Sequence, residues 1–352
     1  MPRPIIVDGH EDIAWNKVAL RRDFTVSVVD KRRTEGQRPE HGEGSATVGL
    51  PELIAGNIRV VFATLYVAPP TPERKGEGRW GRTYATPQEA HDQAREQVAY
   101  YDSLAADPRV RIVRNRADLE RVVASLDPQV GLVILMEGAD PIVEPSQAQE
   151  WFDAGVRIVG LAWERTRYAG GTGAPGGLTE LGRALLREME VAGLILDMSH
   201  MAEQSFFEAL DVYHGPAMAS HANCRAFVNT DRQLSDEMIR GLAARDGVIG
   251  LVFYNRFIKP DWDKGALKNA VGLSDVVHHA RHICDLTGSA GNVGIGSDFD
   301  GGFGLESTPR EIDTVADLSR LGDALTPFFD DEQILDLLGR NWIRLLRRSL
   351  PG

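Results

Sequence analysis

Ile5-Ile6-Val7-Asp8-Gly9-His10-Glu11-Asp12 is the stretch on which the fold turns. Three β-branched apolar residues read as a short buried strand, and a polar cluster follows at once. On an extended backbone, residues two apart point to the same side. His10 and Asp12 can therefore aim one imidazole and one carboxylate at a single point, which is half of a metal site. An H-x-D pair also arises by chance, so its weight depends on the rest of the chain.

Seven further apolar runs follow the first: 58–67, 130–136, 156–163, 194–198, 216–219, 247–254 and 292–296. Between them lie segments with helical spacing at 87–106, 117–125, 146–154, 179–192, 202–211, 235–245 and 274–287, and helices at 310–322 and 331–347 close the chain. Pro87 suits a helix start, Thr179 a helix cap and Gly193 a helix stop. Trp15 to Asp30 also reads as helical. Residues 31–49, which include His41, and 69–86 read as long polar loops, with His41 a solvated loop residue. Alternating strands and helices call for a parallel sheet, and eight such units fit a closed (β/α)8 TIM-type barrel with loop insertions, built as one catalytic domain over residues 1–352. No strand is followed by Gly-x-Gly-x-x-Gly, so a dinucleotide fold is not supported.

The composition is that of a globular chain: 352 residues, 43% hydrophobic and 26% charged, enough for one large barrel. The net charge of −12 disfavours nucleic acid and anionic membrane as partners. Two cysteines make no disulfide framework, and no signal peptide or membrane span is visible, so a cytoplasmic protein is expected.

The residues that end the strands carry the chemistry. They are His10 and Asp12 after the first, Glu137 after the third, His200 after the fifth, His221 after the sixth and Asp298 after the eighth. In a barrel these ends converge on one mouth, where active sites of this fold are built. Three imidazoles and several carboxylates gathered there suit Zn2+ or a similar first-row ion. Any one of them could be bland; six at strand ends point to a site.

At this level of detail the sequence resembles the membrane dipeptidase (renal dipeptidase) family of zinc metallopeptidases, among the amidohydrolase-like barrels. The matching pieces are Asp8-Gly9-His10-x-Asp12, Glu137-Gly138, Leu196-Asp197-x-Ser199-His200, Ser220-His221-Ala222-Asn223, Asp231-Arg232-Gln233 and Gly294-Ile295-Gly296-Ser297-Asp298-Phe299-Asp300-Gly301. The resemblance implies two zinc ions per chain, with His10 and Asp12 on one, His200 and His221 on the other and Glu137 bridging. It implies that Asp298 is the acid/base residue and that Arg232 meets the terminal carboxylate of the substrate. The physical chemistry agrees: a water shared by two zinc ions loses a proton near neutral pH, a carboxylate can pass that proton to the leaving amine, and an arginine offers a fork to a free carboxylate. Homodimers are common in this family, although no stretch here specifies an interface.

The sequence departs from the family at one place. Well-studied members carry a histidine after the fourth strand that steadies the substrate carbonyl, whereas this chain has Leu161-Ala162-Trp163-Glu164. An indole supplies one neutral N–H. Arg165 or Arg167 could replace the missing donor, or be solvated loop charge. Trp163 and Tyr254 are expected at the substrate wall, with core packing the alternative for each, and Trp151 and Trp342 are expected to pack. Asp8, Asp197 and Asp300 are expected either to orient ligands or to cap loops, and Glu11 to face away without a role. The sequence thus points first to a metal-dependent dipeptidase acting on small dipeptides, with L,D substrates included. Two alternatives are a hydrolase of another small amide, such as an N-acyl amino acid or lactam, and a non-catalytic metal-binding barrel.

Overall fold

The computed structural model describes residues 3–35, 44–69, 77, 78, 81–263 and 267–352. His41 lies outside the described residues, as do parts of the loops expected at 31–49 and 69–86. Eight parallel strands form the central sheet: β1 (Ile6–Glu11), β2 (Ile58–Tyr66), β3 (Val130–Glu137), β4 (Val156–Gly160), β5 (Ile195–Asp197), β6 (Ala217–Met218), β7 (Ile249–Leu251) and β8 (Val293–Ile295). Their order is β6-β5-β4-β3-β2-β1-β8-β7, and a parallel bridge from Ala219 to Ile249 joins β6 to β7. The sheet is a (β/α)8 barrel of the TIM type. An additional short strand, Val110–Ile112, pairs with the start of β3 and leaves the remainder of β3 to β4.

The strands are nearly continuous apolar runs because both faces of the sheet are covered. Alternate side chains separate into two clusters. Ile6, Val61, Ala63 and Ile134 pack with helix residues such as Leu185 and Met189. Val7, Val60, Phe62, Val133 and Leu135 pack with Trp342 and Leu346 of the last helix. The period of two assigns one set to the helical shell and the other to the barrel interior.

Register brings the functional ends of the strands to one level. Tyr66 pairs with Glu137, Glu137 with Gly160, Gly160 with Asp197, and Asp197 with Met218. On the other side Asp8 pairs with Ile295, and Ile295 with Leu251. Two glycines make this level compact. A Cβ on Gly250 or on Gly296 would sit 1.9 or 1.8 Å from the Ser220 carbonyl oxygen, so only glycine lets that backbone approach.

The expected helices form with modest changes of boundary. Pro87–Leu104 and Glu180–Ala192 are capped by Thr86 and Thr179, and Gly193 ends the latter at φ 76°. The segment expected to be helical from Trp15 to Asp30 is instead two helices, Ile13–Leu20 and Val28–Glu35, broken by Arg21 at φ 58°. The second runs into the stretch expected to be loop. The segment 310–322 holds a 3-10 turn, Val315–Ser319, followed by a helix at Arg320–Leu325. Among the described residues, no helix is long and apolar enough to cross a membrane.

Candidate metal centre

His10, Asp12, Glu137, His200, His221 and Asp298 meet at the C-terminal rim of the barrel. The Nε2 atoms of His10, His200 and His221 lie 3.6, 3.2 and 3.4 Å from a single oxygen, Glu137 Oε1. His200 Nε2 and His221 Nε2 are 3.0 Å apart, and His10 Nε2 is 4.0 Å from Asp298 Oδ1. Two groups of donor atoms lie within 4.8 Å of one another: His10, Glu137 and His221, and His10, Asp12 and Asp298. His200 and Asp298 adopt left-handed backbone, at φ 63° and 62°. Such conformations cost non-glycine residues roughly 1–3 kcal/mol and are held where the surroundings dictate them.

Hydrogen bonds from neighbouring strand ends orient the ligand candidates. Thr64 donates its hydroxyl to Asp12. Asp8 accepts from the backbone N–H of Ser297 at 2.7 Å and from its hydroxyl, tying β1 to β8. Asp197 accepts from the N–H groups of Ser199 and Ser220, at 3.0 and 2.9 Å. Asp300 instead holds a loop, accepting from Thr47 N, Thr47 Oγ1 and Val48 N. Glu11 is fully buried against Asp8, Asp300 and Lys31 and lines a small separate cavity.

The charges oppose one another. Burial would pull His10 down, but the carboxylates of Glu137, Asp12 and Asp298 outweigh it and push its pKa up to about 10. Burial, with Arg232 adding, holds His200 near 4. Burial, then His10 and Arg232, holds His221 well below the ordinary imidazole value. Burial would raise Glu137, but the histidines around it, His10 foremost, hold it well below the carboxylate range. Burial and then Glu137 raise Asp12 to about 7. Burial raises Asp298 well above its usual value, Asp12 and Glu137 adding to it against His10 and Arg232.

This donor set fits a metal. His10 Nε2 is buried and has no hydrogen-bond partner, and leaving a buried polar atom unsatisfied costs about 1–3 kcal/mol. Imidazole nitrogens and carboxylate oxygens at these separations are what a zinc-type ion binds.

Above the donors lies a cavity of about 420 Å³. Asp12, Glu137, His200, His221 and Asp298 face it, as do Trp15, Tyr66, Trp163 and Tyr254. Trp163 stands between Tyr66 and His200, at 5.2 and 5.9 Å between ring centroids. Tyr254 stacks on Phe303 at 4.4 Å. Trp151 and Trp342 are fully buried. Arg232 is buried and set back from the cavity wall, 5.2 Å from the Phe257 ring centroid. It donates Nη2 to the His221 carbonyl at 2.9 Å, while Nε and Nη1 have no partner. Neither Arg165 nor Arg167 replaces the donor lost at Trp163. Arg165 donates to the Pro175 carbonyl, and Arg167 to those of Ile142 and Val143.

Sequence reasoning missed Ser220, Thr172, Thr64, Trp15 and Tyr66. For Ser220 a signal existed: serine precedes the ligand candidate at three strand ends, as Ser199-His200, Ser220-His221 and Ser297-Asp298.

Known proteins share this architecture. The family model described as membrane dipeptidase (peptidase family M19) matches residues 1–349. The uncharacterized protein in the pqqA 5′ region of Klebsiella pneumoniae is 32% identical over 265 residues, covering 72% of this chain and 94% of that protein. An uncharacterized dipeptidase of Schizosaccharomyces pombe is 26% identical over 355 residues, covering 98% and 80%. Among solved structures, the M19 metallopeptidase dipeptidase AC superposes with a TM-score of 0.80 at 26% identity, covering 99% of this chain and 100% of the other. A Rhodobacter sphaeroides metallopeptidase, liganded with a phosphinate mimic of the dipeptide L-Ala-D-Ala, gives 0.79 at 25% identity, covering 99% of each chain. With its ligand candidates at the strand ends of a matching barrel, the chain belongs to the membrane dipeptidase family, peptidase family M19.

Proposed function

We propose that this chain is a binuclear zinc dipeptidase that hydrolyses the amide bond of small dipeptides, including those with a D-residue at the C-terminal side. The observation that carries the reading is the convergence of three imidazole Nε2 atoms on one Glu137 oxygen, with His10 Nε2 lacking any other partner. His10 and Asp12 would hold one ion, His200 and His221 the other, and Glu137 both. When bound, the ions supply Lewis acidity that polarises the scissile carbonyl and makes the attacking water more acidic.

The chain's own groups do the rest. Asp298 takes the proton from the attacking water and delivers it to the amine nitrogen as the C–N bond breaks. The two unpartnered nitrogens of Arg232 leave capacity for the substrate's free carboxylate. Trp163 and Tyr254 flank the substrate. The L-Ala-D-Ala mimic in the Rhodobacter relative supports a dipeptide with a D-residue. Net charge −12 favours a small-molecule partner over nucleic acid, and the free Cys224 and Cys284 fit a reducing cytoplasm.

Trp163 favours a second substrate class. Its indole puts apolar surface where a hydrogen-bonding group would otherwise stand, which suits the acyl group of an N-acyl amino acid. Amine release from L,L- and L,D-dipeptides, N-acyl amino acids and lactams separates the two, with zinc-loaded and metal-free protein side by side. Zinc-dependent cleavage of dipeptides is the expected result. Turnover of the other amides alone would replace the dipeptidase reading.

A further inference from the structure

Ser220 lies two residues past the end of β6 and precedes His221. Its hydroxyl oxygen has four polar neighbours: Asp197 Oδ2 at 2.6 Å, His221 Nδ1 at 2.8 Å, His10 Nδ1 at 3.1 Å and Ser199 Oγ at 3.2 Å. A hydroxyl donates one hydrogen bond and accepts two, whereas a carboxylate only accepts. The shortest contact therefore takes the serine proton to Asp197. The two lone pairs fall to the next-nearest neighbours, the two imidazole nitrogens, and each of these must carry its proton on Nδ1. Each Nε2 is then the nitrogen left for an ion, and both face Glu137 Oε1. The two rings are stacked, with centroids 3.6 Å apart and planes 27° apart. One hydroxyl thus holds the pair at one end while one carboxylate faces it at the other. His200 is separate: its Nδ1 meets Thr172 Oγ1 at 3.1 Å.

We infer that Ser220, oriented by Asp197, is a positioning residue shared by the two metal positions, fixing the Nδ1–H tautomer of His10 and His221 together. The inference rests on the two-ion reading above. It makes an unusual demand of Asp197. Asp197 Oδ1 already accepts two backbone N–H groups. In Asp197→Asn the amide oxygen must stay there and the NH2 must turn to Ser220. The hydroxyl then accepts from the amide, which leaves one lone pair for two imidazole Nδ1–H groups, so His10 or His221 loses its partner.

The test uses the full chain with Zn2+ itself as the probe. Competition against a chromophoric chelator gives the two stepwise affinities, and proton NMR of the loaded protein gives the imidazole Nδ1–H signals. Ser220→Ala is expected to weaken both affinities about 10–100-fold and to move the His10 and His221 signals together. Thr172→Val is expected to weaken one affinity and move the His200 signal alone. Ser220→Thr keeps the hydroxyl and is expected to restore both. Asp197→Asn, nearly isosteric, is expected to perturb His10 or His221 and leave His200 in place; it decides the matter if Ser220→Ala does not fold. A folded Ser220→Ala that binds both ions as tightly as the parent would overturn the inference alone. Parent protein binding fewer than two ions would overturn the two-ion reading and this inference with it.

Discussion

His200 Nε2 and His221 Nε2 stand 3.0 Å apart, each nearer to Glu137 Oε1 than His10 Nε2 is. Two imidazole nitrogens bound to one tetrahedral zinc at about 2.0–2.1 Å would be separated by about 3.3 Å. The pair is thus already close to the spacing that a shared ion requires. Held neutral by burial and by Arg232, the two rings offer lone pairs and not positive charge.

Removing metal should therefore cost stability. An ion that binds only the folded chain stabilises it by about 4 kcal/mol when present at roughly 1,000 times its Kd. Differential scanning calorimetry with excess Zn2+ and with chelator should show a clear fall in Tm on chelation. Equal Tm values would count against a metal site here.

Asp298 tests the proton path. Asp298→Asn removes the proton acceptor at nearly constant shape and is expected to keep the bound metal while lowering kcat about 10²–10⁴-fold. Metal analysis beside single-turnover kinetics checks both halves of this statement. Retained turnover would remove Asp298 from the mechanism.

Arg232 should act on binding and not on chemistry. With Nε and Nη1 unpartnered, Arg232→Met is expected to raise KM for dipeptides at least about 30-fold, in line with the roughly 2 kcal/mol lower limit for losing a buried charge partner. C-terminally amidated dipeptides, already poor substrates, should respond far less. An equal response from both would show that the guanidinium does not meet the carboxylate.

His279 predicts part of the acid sensitivity of the fold. Burial lowers its pKa from 6.5 to about 4, with Cys224 N donating to its Nδ1. The unfolded chain therefore binds the proton more readily between these values. Stability is full above pH 6.5, falls as the pH drops toward 4 and levels off below it, a loss of about 3 kcal/mol for a shift of this size. Urea unfolding from pH 7 to 4 should show this slope, and His279→Gln should flatten it.

Gly296 offers a structural test. Gly296→Ala would drive a methyl into the Ser220 carbonyl, and overpacking of this kind typically costs about 1–3 kcal/mol. Because Ser220 contacts two ligand candidates, the loss in thermal stability should be accompanied by weaker zinc binding.

The barrel and its ligand candidates were legible because the strands are apolar runs, five of the eight lead into a histidine or carboxylate, and parallel topology gathers those ends. Glu137 stood out directly after VGLVILM for this reason. What could not be read depends on partners distant in sequence or on backbone without a residue signature. Ser220 meets His10 across 210 positions. Arg21 breaks a helix in a left-handed conformation that nothing about an arginine announces. Arg232 is set back beside Phe257 and bonded to the His221 carbonyl, contacts that no local pattern encodes.

The hydrogen bond from Ser297 to Asp8 spans 289 positions. At about 5–20 residues per second, a ribosome needs roughly 15–60 s to make the chain between them. For that time β1 has been synthesised without β8, and His10 and Asp12 are without Asp298. The order of synthesis thus makes all five proposed metal ligands before Asp298, and donors that could take an ion exist before the proposed acid/base residue faces them.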